Sequence, residues 1–139
     1  GQVTDMSNMF NRASSFNQNI GGWNVGQVSS MSNMFNSATS FDQNIKGWNV
    51  ANVAFMHNMF EGATSFNQDI GGWNVAKVED MASMFKGATS FNQNLCGWQR
   101  KQRSCTDIFT DSGCSFSDDG ICSTSGTLVS ACQTCDTKT

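Results

Sequence analysis

The chain has 139 residues, enough for one domain with its own core. A net charge of −3 gives no basic surface for nucleic acid or for an acidic membrane. No run approaches the ~18 apolar residues of a membrane span, and no signal peptide is visible.

From Gly1 to Arg100 one 25-residue unit recurs four times, as 1–25, 26–50, 51–75 and 76–100, without insertion or deletion. The period aligns Val3, Val28, Val53 and Val78, then Met6, Met31, Met56 and Met81. Met9, Met34, Met59 and Met84 follow, each directly before Phe10, Phe35, Phe60 or Phe85. Further along, Phe16, Phe41, Phe66 and Phe91 share a position, as do Trp23, Trp48, Trp73 and Trp98. A fixed period of this length marks a repeat solenoid, in which no unit buries its apolar face alone.

In the first half of the unit, Val28, Met31, Met34, Phe35 and Ala38 are spaced as on a helix face, with polar residues between them. The segment is short, so one or two turns of α- or 3₁₀-helix are expected. In the second half, Phe41 to Val50 suits a strand of about three to five residues followed by a turn at Gly47, stacking into a narrow parallel sheet. The fold predicted is thus a short parallel strand plus a short helical turn per 25-residue coil.

Asn, Asp or Gln fill three further positions: Asn17, Asp42, Asn67 and Asn92; Asn19, Asn44, Asp69 and Asn94; Asn24, Asn49, Asn74 and Gln99. Internal ladders that satisfy turn backbones are the favoured role. The alternative is a calcium or carbohydrate surface. Calcium needs more carboxylates than Asp42 and Asp69 supply. The Ser15, Ser40, Ser65 and Ser90 series could form a flat lattice-binding face, but it lies beside the buried Phe16 series and reads better as turn.

Residues 101–139 form a degenerate fifth coil and a C-terminal cap. Ile108 and Phe109 echo the Met–Phe pair one residue early, and no Trp follows. All six cysteines, Cys96, Cys105, Cys114, Cys122, Cys132 and Cys135, fall in this region or just before it. An even number in a small polar segment reads as a disulfide framework and an extracellular chain. Cys132 and Cys135 form a C-x-x-C pair, but no second pair and no nearby histidine complete a zinc site. Six cysteines allow fifteen pairings, and spacing does not choose among them.

The pattern V-x-x-M-x-x-M-F-x-x-A-x-x-F-N-Q-x-I-x-G-W-N-V resembles the bacterial surface protein repeat of Mycoplasma lipoproteins, Listeria surface proteins and microalgal proteins. That repeat is similar to the BspA-like branch of the leucine-rich repeats. The resemblance covers residues 1–100. It implies a leucine-rich-repeat-like solenoid, cell-surface or secreted placement and structural or adhesion roles, with no catalytic residues to transfer. Algal members place Leu-Cys before the last Trp and a Cys after a late Met-Phe-like pair. The similarity of Leu95-Cys96-Gly97-Trp98 and Ile108-Phe109…Cys114 to that arrangement implies a Cys96–Cys114 disulfide. Arg100, Lys101 and Arg103 depart from it, and Cys105 has no counterpart.

Gly1-Gln2-Val3 is already in full register, so Val3, Met6, Met9 and Phe10 are expected to form an assembly face. A fragment of a longer array, or cover by another subunit in a head-to-tail ring or filament, would account for it. The function expected is an extracellular structural or adhesion module whose partner is itself or a cell-surface macromolecule, a glycan included. The alternative is a carbohydrate- or calcium-binding surface. Residues that vary between coils are candidate contacts: Arg12, Lys46, Phe55, His57, Glu61, Lys77, Glu79, Asp80 and Lys86. Phe55 and His57 stand out, because their equivalents are polar or small. No unit pairs a nucleophile with a base, so neither an enzyme nor a cofactor or metal is expected.

Overall fold

The computed structural model describes residues 2–95, 97–98 and 103–114. Its units stack as coils: coil 1 (2–25), coil 2 (26–50), coil 3 (51–75), coil 4 (from 76) and coil 5 (103–114).

Each coil begins with a run of turns rather than a helix, and no described residue is helical. In coil 1 the Met9 N–H donates to the Met6 carbonyl and the Ala13 N–H to the Phe10 carbonyl. The third residue of each turn has positive φ, Asn8 at 63° and Arg12 at 64°, which makes both turns type II. Coil 2 repeats this with Asn33 and Ser37, coil 3 with Asn58 and Gly62, coil 4 with Ser83 and Gly87. Gly47, where a left-handed bend is expected, is not among the positive-φ residues; Gly62 and Gly87 are. Turns closing every three or four residues place apolar side chains at the same intervals as a helix. That is why the spacing reads as helical.

The two backbone geometries differ in where the N–H groups go. A helix returns every N–H to its own carbonyls four residues back. Here alternate N–H groups leave the coil. Those of Met6, Asn8, Phe10 and Arg12 donate to the carbonyls of Ser30, Ser32, Met34 and Asn36, at 2.7–3.0 Å. Coils 2, 3 and 4 donate to their successors from the same positions. The positive-φ residues create this alternation, since they turn successive peptide planes to opposite sides.

The parallel ladder is one residue wide per coil and lies in the first half of the unit. Single bridges link Asp5, Ser30, Phe55, Asp80 and Ser104. Among the described residues the expected strand in the second half is absent, and hydrogen bonds between coils there come largely from side chains. Asn17 Oδ1 accepts the Asp42 N–H at 2.9 Å and Gln43 Nε2 at 3.0 Å. Asp42 does the same for Asn67 and Gln68, and Asn67 for Asn92 and Gln93. The other amide positions close local turns: Asn19 Oδ1 accepts the Gly21 N–H and Asn24 Oδ1 the Gly26 N–H. These oxygens serve the coil geometry, as the ladder reading anticipates.

The core is a set of columns. Phe10, Phe35, Phe60, Phe85 and Phe109 stack with centroids 5.5–5.7 Å apart. Beside them run Phe16, Phe41, Phe66 and Phe91, at 5.8–6.0 Å. The buried indole N–H groups of Trp48, Trp73 and Trp98 donate to the carbonyls of Ile20, Ile45 and Ile70 in the preceding coil.

Coil 5 is set one residue short, since Ser104 pairs with Asp80 24 positions earlier. This register puts Cys105 at the position of Met81, and Ile108 and Phe109 at those of Met84 and Phe85. Cys105, without a counterpart in the sequence pattern, therefore fills a core position. Cys105 and Cys114 are each in a disulfide, whose partner lies outside the described residues. Cys96, Cys122, Cys132 and Cys135, and most of the expected cap, lie outside the described residues.

Candidate interface

Two surfaces depart from the regular stack. The first is the outer face of coil 1. Val3 is 49% exposed, Met9 44% and Trp23 40%, while Val28, Met34 and Trp48 at the same positions are at most 3% exposed. Phe10 and Phe16 are half-buried and stack on each other at 3.9 Å. Of the four residues expected on an assembly face, Val3 and Met9 are exposed, Phe10 is partly so, and Met6 is buried. Trp23 joins them. Its position in the repeat carries the same signal as those of Val3 and Met9, since Trp48, Trp73 and Trp98 are all buried under a preceding coil.

The backbone of this face is unmatched as well. In coils 2 to 5 the carbonyls at these ladder positions accept N–H groups from the preceding coil. The corresponding carbonyls of Asp5, Ser7, Met9 and Asn11 receive none among the described residues.

The second surface is lateral, along the bridge column. Phe55 is 42% exposed between Ser30 and Asp80. A polar chain crosses the coils beside it. The Ser7 and Ser30 hydroxyls are 2.7 Å apart, and Ser30 Oγ donates to Ser32 Oγ at 3.4 Å. Ser32 Oγ lies 3.0 Å from His57 Nδ1, which is also 3.4 Å from Asp80 Oδ2. One ring nitrogen thus faces both neighbours. A Ser–His–Asp relay uses the two nitrogens separately, so this arrangement links coils and does not form a triad. The hydroxyl and backbone N–H of Ser7 hold the Asp5 carboxyl below its ordinary value.

Other variable residues make separate cross-coil contacts. Lys46 Nζ lies 3.6 Å from Asp69, and Lys77 Nζ donates to Asn52 Oδ1 at 2.9 Å. Among the described residues no cluster of His, Cys, Asp or Glu is arranged to hold a metal ion. No helix among them is long and apolar enough to cross a membrane.

These features define a class first: a protein whose described residues stack as 25-residue repeat coils. The family model described as "Mycoplasma protein of unknown function, DUF285" matches residues 1–98, and the chain belongs to that family. No curated protein and no solved structure matches the chain.

Proposed function

We propose that the chain is an extracellular structural or adhesion module of the BspA-like, leucine-rich-repeat-like solenoid class. The stack acts as a rigid spacer, and the exposed apolar face of coil 1 suits packing against a further coil of the repeat or a neighbouring protein. The observation that carries this reading is the contrast between Met9 and Trp23, both exposed, and their buried equivalents in coils 2 to 4. Extended repeat stacks suit contact with other macromolecules, and disulfide-bonded Cys105 and Cys114 fit an oxidising compartment. The calcium or carbohydrate alternative loses support, because the ladder oxygens that would bind a ligand already accept hydrogen bonds within the stack.

Hydroxyl-radical footprinting tests this packing face. Met9 and Trp23 are expected to label strongly in the purified chain. On the intact surface that carries the protein they are expected to be protected, with Phe55 as a lateral reference. Equal labelling of Met9 and Trp23 in both settings would remove the reading.

A further inference from the structure

Coil 3 departs from the lateral column in two adjoining side chains. At the bridge position coils 2 and 4 carry Ser30 and Asp80, both half-buried, whereas Phe55 is 42% exposed. Two residues on, where coils 2 and 4 carry Ser32 and Ala82, coil 3 carries His57. Met56 between them is 0% exposed, so Phe55 and His57 project together from the outer side of the ladder. The Phe55 backbone is bridged to coil 2 on one side and to coil 4 on the other, which fixes the root of its ring. A phenyl ring left in water forgoes much of the roughly 1.5–3 kcal/mol that burial contributes, so stability gives no account of a Phe here.

The imidazole is held from one side only. Its Nδ1 lies 3.0 Å from Ser32 Oγ and 3.4 Å from Asp80 Oδ2. The Asp80 carboxylate is itself fixed, because its Oδ1 accepts the Ala82 N–H at 2.9 Å. An ionised carboxylate only accepts, so it places the proton of the neutral ring on Nδ1 and leaves the lone pair on Nε2. Nε2 has no hydrogen-bond partner among the described residues. Coil 3 therefore presents an open aromatic face beside an oriented acceptor.

The surroundings select what fits that pair. Among the described residues of coils 2 to 4, no other large apolar side chain is exposed, so Phe55 lacks the apolar surround that a protein interface builds about an anchor. A pyranose ring has both complements: a face of C–H groups for the negative face of the phenyl ring, and hydroxyls on its edge that donate to an acceptor. The Asp80 carboxylate beside the imidazole opposes a second negative charge. We infer that Phe55 and His57 form a subsite for one neutral pyranose unit of a glycan, stacked on the Phe55 ring with a hydroxyl donating to His57 Nε2. The subsite is separate from the Asn and Asp ladders, whose oxygens are already bonded. It supplies a ligand class to the adhesion reading and is independent of the coil 1 face.

The test is an NMR titration of the full, isotope-labelled chain with neutral oligosaccharides of glucose, mannose, galactose or xylose, and with oligogalacturonate as the charged control. At least one neutral oligomer is expected to shift the amide signals of Phe55, His57 and Asp80 and to leave those of Val28 and Trp73 in place. Phe55→Ser and His57→Ala give coil 3 the residues that coils 2 and 4 carry at those positions, so the stack tolerates both. Phe55→Ser is expected to weaken binding about tenfold or more, and His57→Ala about threefold to tenfold. No shift with any neutral oligomer would overturn the inference, as would shifts that survive Phe55→Ser or shifts of equal size with oligogalacturonate. Concentration-dependent shifts of the same amides without sugar would assign the patch to a second copy of the chain and overturn it equally. Labelling of Met9 and Trp23 in situ would remove the coil 1 face and leave the titration result standing.

Discussion

Ser37 holds a φ of 58° in coil 2, in the left-handed region that costs an L-residue about 1–2 kcal/mol. Coils 3 and 4 place Gly62 and Gly87 at the same position, where glycine is at ease but loses about 0.5–1 kcal/mol in chain entropy on folding. Ser37→Gly is therefore expected to stabilise the protein by roughly 0.5–1 kcal/mol. Gly62→Val puts a β-branched residue where it is a steric outlier, and is expected to destabilise by about 2 kcal/mol or more. Urea denaturation midpoints measure both, and a stable Gly62→Val protein would show that the turn is assigned wrongly. The indoles give a paired comparison. Trp48 donates from a buried position to the Ile20 carbonyl, so Trp48→Phe strands that acceptor and is expected to cost about 1–3 kcal/mol. Trp23 is exposed, with no acceptor among the described residues, so Trp23→Phe is expected to change stability little. Equal losses would place Trp23 inside the core.

Within a coil, the two halves join their neighbours by different means, and this decides which substitutions matter. The first half uses backbone N–H groups, which side-chain changes leave in place. The second half relies on Asn17, Asp42 and Asn67, each accepting one backbone and one side-chain donor through Oδ1. Asn67→Ala removes the acceptor for the Asn92 N–H and one of the two for Gln93 Nε2, which keeps the Asn67 carbonyl, and is expected to lower stability by about 1 kcal/mol, the modest figure reflecting an exposed site. Asp42→Asn keeps the accepting oxygen, as Asn17 and Asn67 show, and is expected to be near neutral. A large loss on Asp42→Asn, seen by thermal melting, would mean that the charge and not the oxygen is needed.

The same division explains what the sequence discloses. The columns were readable because a strict period sets Phe35 over Phe60 and Trp48 over Trp73 whatever the local backbone. The amide ladders were readable from turn chemistry. The turn run was hidden, because Met31, Met34, Phe35 and Ala38 satisfy a helix face equally well. Its own signal was Asn33 followed four residues later by Ser37, or Asn58 by Gly62, since Asn and Gly lead the residues that accept positive φ. The strand was misplaced because apolar spacing cannot tell a backbone ladder from one made by side-chain amides. On the candidate interface, Val3 and Met9 followed from the register. The exposure of Trp23 follows from a second-half contact, since each later indole reaches the preceding coil.

At the scale of the whole molecule, each coil touches only its neighbours, so stability passes along the stack through its interfaces. The last described interface differs from the others. Coil 5 is one residue short, lacks an equivalent of the Phe16 column among its described residues, and holds disulfide-bonded Cys105 and Cys114. A coil with less core of its own depends more on covalent closure. Reduction should therefore act from this end. The amides that report it are those of Met81, Ser83, Phe85 and Gly87, which donate to the carbonyls of Ser104, Thr106, Ile108 and Thr110. The amides of Met31, Asn33, Phe35 and Ser37 donate to coil 3 in the same geometry and serve as internal controls. On reduction, hydrogen exchange is expected to quicken in the first set and stay slow in the second. The Cys96–Cys114 pairing implied by family resemblance is checked on the same sample, by a non-reduced digest that joins the peptides carrying those residues. Uniform quickening along the stack would show a single cooperative unit closed by the disulfides as a whole. Exchange unchanged in both sets would show that coil 5 is held by packing of Ile108 and Phe109 alone.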